Sequence, residues 1–418
     1  MSPLGIGLGA GITERPHRRG GVVSLPKLPL SARWIAEGDS ITAGSSGPQW
    51  SWQAIVATRG RLFNPQNWNQ AVGGQTAAQM ATQIAATMAP LPKLVTFLAG
   101  TNDLAGSSDT PATIYANILA CVKGYLDGGA SYVVVSRVLP RNDATWLALS
   151  TARRNDLPIL NGLIAGLPTD PVLLAAGYAG RVKLATDLTS TFNPATDCVD
   201  SLHPNWLGAI KLGNAFADAI NACVDQTATL TDLYLDASNL LVGTAKNPAL
   251  TGTTGALNGT TTPTGVAANA WTLTDNDTMN VVGSKSALNG AEAQRVVVSG
   301  NVGTAGRLVN FQIPTVAYSG VAGDMVEASI DFSLAAGYQN LRSFYMACDT
   351  ASSPNQTTTF LMDGAGAISG TMRTAITTPL AGADTATAIQ NVLTFAAGAV
   401  AADITFSRPY LRKVPAGQ

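Results

Sequence analysis

Between residues 32 and 225, short apolar runs alternate with stretches of helical period, and this alternation is what most restricts the fold. Trp34-Ile35-Ala36, Lys93 to Ala99 and Tyr132-Val133-Val134-Val135 are apolar without a polar face. Strands buried on both sides read that way. A further strand is expected near Val182-Lys183-Leu184-Ala185, and an irregular one between Arg61 and Asn69, where Pro65 intervenes. Thr76 with Gln79 forms a capping box that opens a helix whose apolar face is Ala77, Met80, Ile84 and Met88. Thr110-Pro111 opens a second helix with Ile114, Ile118, Val122 and Tyr125 inward, and Gly128-Gly129 closes it. A helix is expected at about 150–165, and a last one after Asn205 turns Leu207, Ile210, Phe216, Ile220 and Cys223 inward. Strands alternating with helices of this length imply a parallel sheet covered on both faces.

The pattern stops at about 226–238. From Ser238 onward, short apolar runs such as Val296-Val297-Val298, Leu308 to Phe311 and Ile404-Thr405-Phe406 alternate with Gly, Asn, Thr and Pro turns. That spacing predicts an all-β sandwich or jelly roll. Residues 1–30 carry six glycines and four prolines and predict an arm, mobile or laid over a partner. The chain therefore divides into the arm (1–30), an α/β domain (31–228) and a β domain (236–418).

Charged residues make up 12% of the chain and the net charge is -1. This charge supply is about half the usual share and gives no footing for nucleic acid or an anionic membrane. No apolar run approaches the roughly 18–20 residues of a membrane span. Arg15, Arg18 and Arg19 follow the apolar start, the reverse of a standard secretory signal. Low charge with abundant Gly, Thr, Ala and Asn is common on extracellular or virion β-proteins. Cys121, Cys198, Cys223 and Cys348 match no zinc or redox spacing. Cys121 and Cys223 fall on apolar helix faces as packed thiols, while a bridge from Cys198 to a neighbour would steady the loop beside it.

The loops after the strands carry the chemistry. Gly38-Asp39-Ser40 follows the first strand and places a hydroxyl at its carboxyl end, where open α/β sheets collect ligands. A serine needs a positioned base, and the chain has two histidines, His17 in the arm and His203. Asp200 stands three residues before His203 and can orient its imidazole. Donors for an oxyanion are available from the Ser40 amide, from a glycine amide in Val72-Gly73-Gly74-Gln75 and from the Asn102 side chain. A metal site built from Asp39, Asp103, Asp200 and His203 is the competing grouping, and it leaves Ser40 and Asn102 without a role.

Gly-Asp-Ser, Gly-Gly-x-Thr, Gly-Thr-Asn-Asp and Asp-x-x-His, in this order over residues 32–225, resemble the blocks of the SGNH (GDSL-type) hydrolases. The resemblance implies a flavodoxin-like three-layer α/β/α fold, a Ser40–His203–Asp200 triad and an oxyanion hole from Ser40, Gly74 and Asn102. Gly74 matches because it stands two before Thr76. It implies no metal or organic cofactor, and assigns Asp39 and Asp103 to bonding loop amides. Block one ends in Ile-Thr where some members have Leu, a variant common among carbohydrate esterases of this type. Asn239-Leu240-Leu241, Asn247-Pro248 and Arg408-Pro409-Tyr410-Leu411-Arg412-Lys413 look like carbohydrate-binding jelly rolls on polysaccharide-active and phage tail proteins. Trp271, Tyr318, Tyr338 and Tyr345 are sugar-stacking residues by type, although aromatics in a sandwich more often fill its core. The expectation is a serine esterase removing small acyl groups, acetyl above all, from a polysaccharide. General short-chain carboxylesterase, lipase or thioesterase activity is the alternative, and a phage tail adhesion or structural protein the reading from another class. The expected setting is extracellular or on a phage virion, and a homo-oligomer is compatible with it.

Overall fold

The computed structural model describes residues 25–30, 32–64, 67–350, 356–361 (backbone), 366–374 and 379–414. Residues 1–24 of the expected arm, His17 among them, lie outside these. Residues 25–30 are not an arm. Leu28 is buried and its backbone exchanges hydrogen bonds with Cys223 and Asp225, so this segment closes the α/β domain.

That domain is built on a four-stranded parallel sheet in the order β1 (Trp34–Gly38), β2 (Leu94–Leu98), β3 (Tyr132–Val135), β4 (Val182–Leu184). Successive side chains point to opposite faces. Leu94, Leu98, Tyr132 and Val134 join Trp50, Ile55, Phe216 and Ile220 on one face. On the other, Val95, Phe97, Val133 and Val135 join Ile114, Ile118, Val122 and Leu160. Two cores on one sheet give the three-layer α/β/α, flavodoxin-like arrangement.

The irregular strand expected at 61–69 is reduced to single parallel bridges, Arg33 with Phe63 and Ala36 with Asn69, on the free edge of β1. The chain thus leaves β1 for this edge and returns past it to β2. The direction of winding reverses between β1 and β2, and such a switch point is where sheets of this kind leave a crevice.

Two helices differ from expectation. The helix from Thr76 is split into Ala77–Ala81 and Ile84–Met88. Thr82 directs both its amide and its hydroxyl at the Gln79 carbonyl, which tightens the turn and ends the first segment. The helix at 150–165 breaks at Asn155 into Thr151–Arg154 and Asp156–Ala165. By length and composition the stretch Thr151–Ala175 could cross a membrane. The fold instead divides it at Asn155, Gly166 and Asp170, and no unbroken helix of about 20 residues remains.

The C-terminal domain is a sandwich of two six-stranded sheets. One runs Gln356–Leu361, Leu341–Thr350, Asp384–Phe395, Arg307–Gly320, Thr272–Asp275, Ala256–Gly259. The other runs Ile368–Arg373, Met325–Leu334, Gly398–Val414, Ala291–Val302, Asn280–Leu288, Thr264–Gly265. Trp271 and Tyr338 are buried in the core between them, with Phe311, Phe332, Phe344 and Phe406, so neither ring can meet a sugar. Tyr318 and Tyr345 are half-buried.

The two domains meet on a packed junction. Val56, from the helix Trp50–Ala57, belongs to the sandwich core, and Gly370 lies so close that a Cβ there would stand 2.6 Å from the Val56 carbonyl oxygen. Beside it, Arg373 is fully buried. Its Nε and Nη2 donate to Glu327 at 2.9 and 3.0 Å, and Nη1 donates to the carbonyls of Gly60 and Leu62 at 2.8 and 2.5 Å. Glu327 also accepts from Arg412 Nε at 2.5 Å. Burial alone would raise the Glu327 pKa, but Arg373 and Arg412 together hold it below its ordinary value.

Candidate active site

The site begins with a backbone constraint at the end of β1. A Cβ on Gly38 would stand 2.7 Å from the Leu98 carbonyl oxygen and 2.5 Å from Thr42 Oγ1, so only glycine lets the chain turn there against β2. Asp39 then caps the single helical turn Ser40–Ala43, its Oδ1 accepting the Ile41 N–H at 2.9 Å. Ser40 opens that turn at the carboxyl edge of the sheet, 9% exposed.

Asp200 and His203 arrive on a short loop that leaves and returns at the bridge between Cys198 and Pro204. Ser201 takes a left-handed backbone (φ 63°), which folds the loop tightly. One Asp200 oxygen accepts the amides of Leu202 and His203 at 3.1 and 2.7 Å. The other lies 2.7 Å from His203 Nδ1. The far side of the ring places Nε2 2.9 Å from Ser40 Oγ. Serine, imidazole and carboxylate therefore stand in one hydrogen-bonded line. Burial would raise the Asp200 pKa, but the two amides and the imidazole hold it below the usual carboxylate value. This keeps Asp200 anionic and ready to stabilise a positive imidazolium.

Val72 to Gln75 form a turn beside the serine. The Val72 amide bonds to the Gly38 carbonyl, the Gln75 amide to Val72, and Gly74 takes φ 81°. Glycine is needed there because the third residue of such a turn must go left-handed. A Cβ on Gly73 would lie 3.7 Å from Ser40 Cβ, which sets this loop against the nucleophile. Asn102 follows β2 and its side-chain amide donates to the Gln75 carbonyl at 2.9 Å. One N–H ties the second and third loops together, and an amide group has another to offer. The structure thus gathers Ser40, the Gly74 turn, Asn102, Asp200 and His203 at the switch point.

Asp39 and Asp103 bond amides in the first turns of helices, where loop amides were expected: Asp39 accepts the Ile41 N–H, and Asp103 accepts the Ala77 N–H with both oxygens at 3.1 Å. Burial, offset in part by the Ile41 N–H and His203, pushes the Asp39 pKa up to about 7. Cys198 makes no bridge. It is buried and free, and burial followed by the charge of Asp200 pushes its thiol up to about 12, which leaves it unreactive.

Three supports carry no sequence signature. Arg141 pairs with Asp143 and donates to the Thr101 carbonyl at 3.0 Å. Arg153 donates to the carbonyls of Asp103, Leu104, Ser107 and Asp109, and so holds the turn that presents Asn102. Asn142 N–H bonds to Ser201 O at 2.9 Å, which anchors the loop bearing the histidine. An arginine reads as a surface residue in sequence, and nothing local marks buried Arg141 and half-buried Arg153 as clamps.

A serine hydroxyl, an imidazole and a carboxylate in line on a doubly wound sheet define a class, the serine hydrolases of α/β architecture. Residues 36–209 match the family described as "GDSL-like Lipase/Acylhydrolase family", a span that includes every residue of the site. The α/β domain is a GDSL-like acylhydrolase domain. No curated protein matches the sequence. Among solved structures, the chain is similar to a carbohydrate esterase family 3 protein from Talaromyces cellulolyticus, with 18% identity and a TM-score of 0.36 over 45% of this chain and 95% of that one. A Clostridium thermocellum family 3 carbohydrate esterase gives 18% and 0.36 over 47% and 100%. TesA gives 19% and 0.34 over 46% and 99%. At these values the likeness carries no inference about substrate.

Proposed function

We propose that the protein is a serine esterase that removes acetyl groups from a polysaccharide, with Ser40 as nucleophile, His203 as base and Asp200 as its orienting acid. The observation that carries the chemistry is the unbroken line from Asp200 through His203 to Ser40 Oγ. His203 Nε2 takes the Ser40 proton as Oγ attacks the ester carbonyl. The oxyanion forms against the Ser40 and Gly74 amides and the second N–H of Asn102. Collapse expels the sugar hydroxyl, which takes the proton from His203 and leaves acetyl on Ser40. Water, deprotonated by His203, then attacks the acyl-enzyme and releases acetate. None of these steps calls on a metal or an organic cofactor.

The polysaccharide part rests on the attached β-sandwich, packed against the α/β domain, which would hold the polymer and raise the local ester concentration. The same reading places the work outside a cell or on a virion, where acylated glycans are met. Acetate release from acetylated polysaccharides, alongside turnover of p-nitrophenyl acetate, tests it in the full chain and in Ser40→Ala. Release that disappears in the variant supports it. Turnover of the small ester alone would overturn the polysaccharide assignment, and equal rates in the variant would overturn the nucleophile.

A further inference from the structure

A cleft of about 310 Å³ opens between the two domains beside the loop that carries His203. The α/β domain supplies Pro48, Val199 and Trp206; the sandwich supplies Leu341, Arg342 and Ala396. Val199 adjoins Asp200, and Trp206 begins the helix three residues after His203. The Ser45–Pro48 loop is pressed against the same segment, since a Cβ on Gly47 would meet the Pro204 carbonyl oxygen at 2.2 Å. The cleft is thus walled in part by the segments that flank Asp200 and His203 in the chain.

Its one charged lining residue is Arg342. The strand Leu341–Thr350 pairs with Asp384–Phe395, but the register skips at this point: Leu341 faces Phe395 and Ser343 faces Thr394. Arg342 is the extra residue of a β-bulge. Bulges re-aim a side chain that regular alternation would send elsewhere, and here the bulged residue is one that lines the cleft. Arg342 is exposed and has no hydrogen-bond or ion-pair partner among the described residues. In a chain with 12% charged residues, an arginine without a partner among the described residues, lining a cleft beside the His203 loop, stands out as a group free to meet a ligand. From the α/β domain the lining includes half-buried Trp206, the first residue of the 16-residue helix Trp206–Asn221.

We propose that this cleft is a subsite for an acidic sugar, with the carboxylate of a uronic acid unit paired to Arg342 and the sugar face laid on Trp206. The guanidinium fork matches a carboxylate in bidentate fashion, and an indole offers a flat face to the C–H bonds of a pyranose. The inference rests on the esterase reading of Ser40 and adds to it the substrate's charge: the ester lies on an anionic glycan.

Binding is measured in the full Ser40→Ala chain, so the result is independent of turnover. Calorimetric titration uses de-esterified oligogalacturonate, a neutral xylo-oligosaccharide and a sulfated galacto-oligosaccharide. Arg342→Gln is expected to weaken oligogalacturonate binding by about tenfold or more, the loss of one charge-assisted contact, and to leave the neutral oligosaccharide unchanged. Trp206→Ala is expected to weaken both. Equal affinity for oligogalacturonate with and without the arginine overturns the assignment, as does absence of binding to the parent chain. Tighter Arg342-dependent binding of the sulfated sugar overturns the carboxylate. Failure of the esterase reading shows separately, as p-nitrophenyl acetate turnover that survives Ser40→Ala.

Discussion

Replacing Arg373 with methionine removes a side chain that, among the described residues, bonds both domains from a fully buried position. The hydrogen bonds lost include two to Glu327 and two to the carbonyls of Gly60 and Leu62. Breaking a buried pair from one side costs roughly 3–5 kcal/mol, and buried acceptors left without donors cost roughly 1–3 kcal/mol each. Two features lower the total. Arg412 still neutralises Glu327, and methionine fills most of the vacated volume against Phe63, over which the guanidinium now sits. The expected loss is therefore about 3–4 kcal/mol. Urea denaturation followed by tryptophan fluorescence and by far-ultraviolet circular dichroism measures it, with Glu327→Gln and the double variant completing a cycle. The charge pair also predicts acid lability. The folded Glu327 pKa is depressed, so its contribution is complete above the unfolded value of 4.5 and lost as pH falls through the lower folded one. A loss below about 1 kcal/mol, the range of an exposed pair, or additive effects in the cycle, would refute the view that this arginine joins the domains.

Asn102→Ala should lower kcat on p-nitrophenyl acetate by about 100- to 1000-fold with little change in KM, because the donor acts on the oxyanion and not on the ground-state ester; steady-state kinetics decide it. Asp39→Asn should act on stability in a pH-dependent way. The Asp39 pKa is raised to about 7 in the fold, so its contribution is complete below the unfolded value of 3.8 and lost as pH rises through about 7. Asparagine does not titrate, so the variant should gain about 2–3 kcal/mol on wild type between about pH 5 and pH 8. Melting curves across that range test this, and parallel curves would show that Asp39 stays charged throughout.

What could be read from sequence was what repeats or what must sit at a strand end. Unbroken apolar runs marked β1, β2 and β3, because a strand covered on both faces has no polar side to confuse the pattern. The loops after them stood out because each needs an unusual residue where the backbone has no alternative: Gly38 against β2, and Gly74 in its turn. Features that depend on distant partners were not legible. The helix from Thr76 kept its apolar face in sequence, yet a threonine hydroxyl bonding its own turn divided it. Trp271 and Tyr338 were candidates by residue type, yet both stand just outside strands, on connections that fold over the sandwich core, and it is packing between distant strands that buries them. Trp206 read only as the start of a helix, and the bulge that turns Arg342 depends on the strand opposite. Arg141, Arg153 and Arg373 look like solvated charges in sequence because the carbonyls each of them clamps lie 40 or more residues away.

The contact between Asp200 and His203 has a consequence for how activity is acquired during folding. Their alignment is set within four residues, by one carboxylate capping two amides and gripping the ring. Such a local loop closes quickly and needs little else. Ser40 lies 163 residues away and meets the imidazole only after the helices Trp50–Ala57 and Trp206–Asn221 have docked. That docking rests on Trp50 stacked on Phe216 at 4.1 Å and on Gly213, where a Cβ would come within 2.5 Å of the Trp50 carbonyl oxygen. The base and its acid can thus exist as a finished pair in a chain that is still catalytically silent. Recovery of turnover after dilution from denaturant then reports tertiary assembly, the closure of those two helices over β1 together with the seating of the Gly74 and Asn102 loops, and not the local pairing of His203 with Asp200.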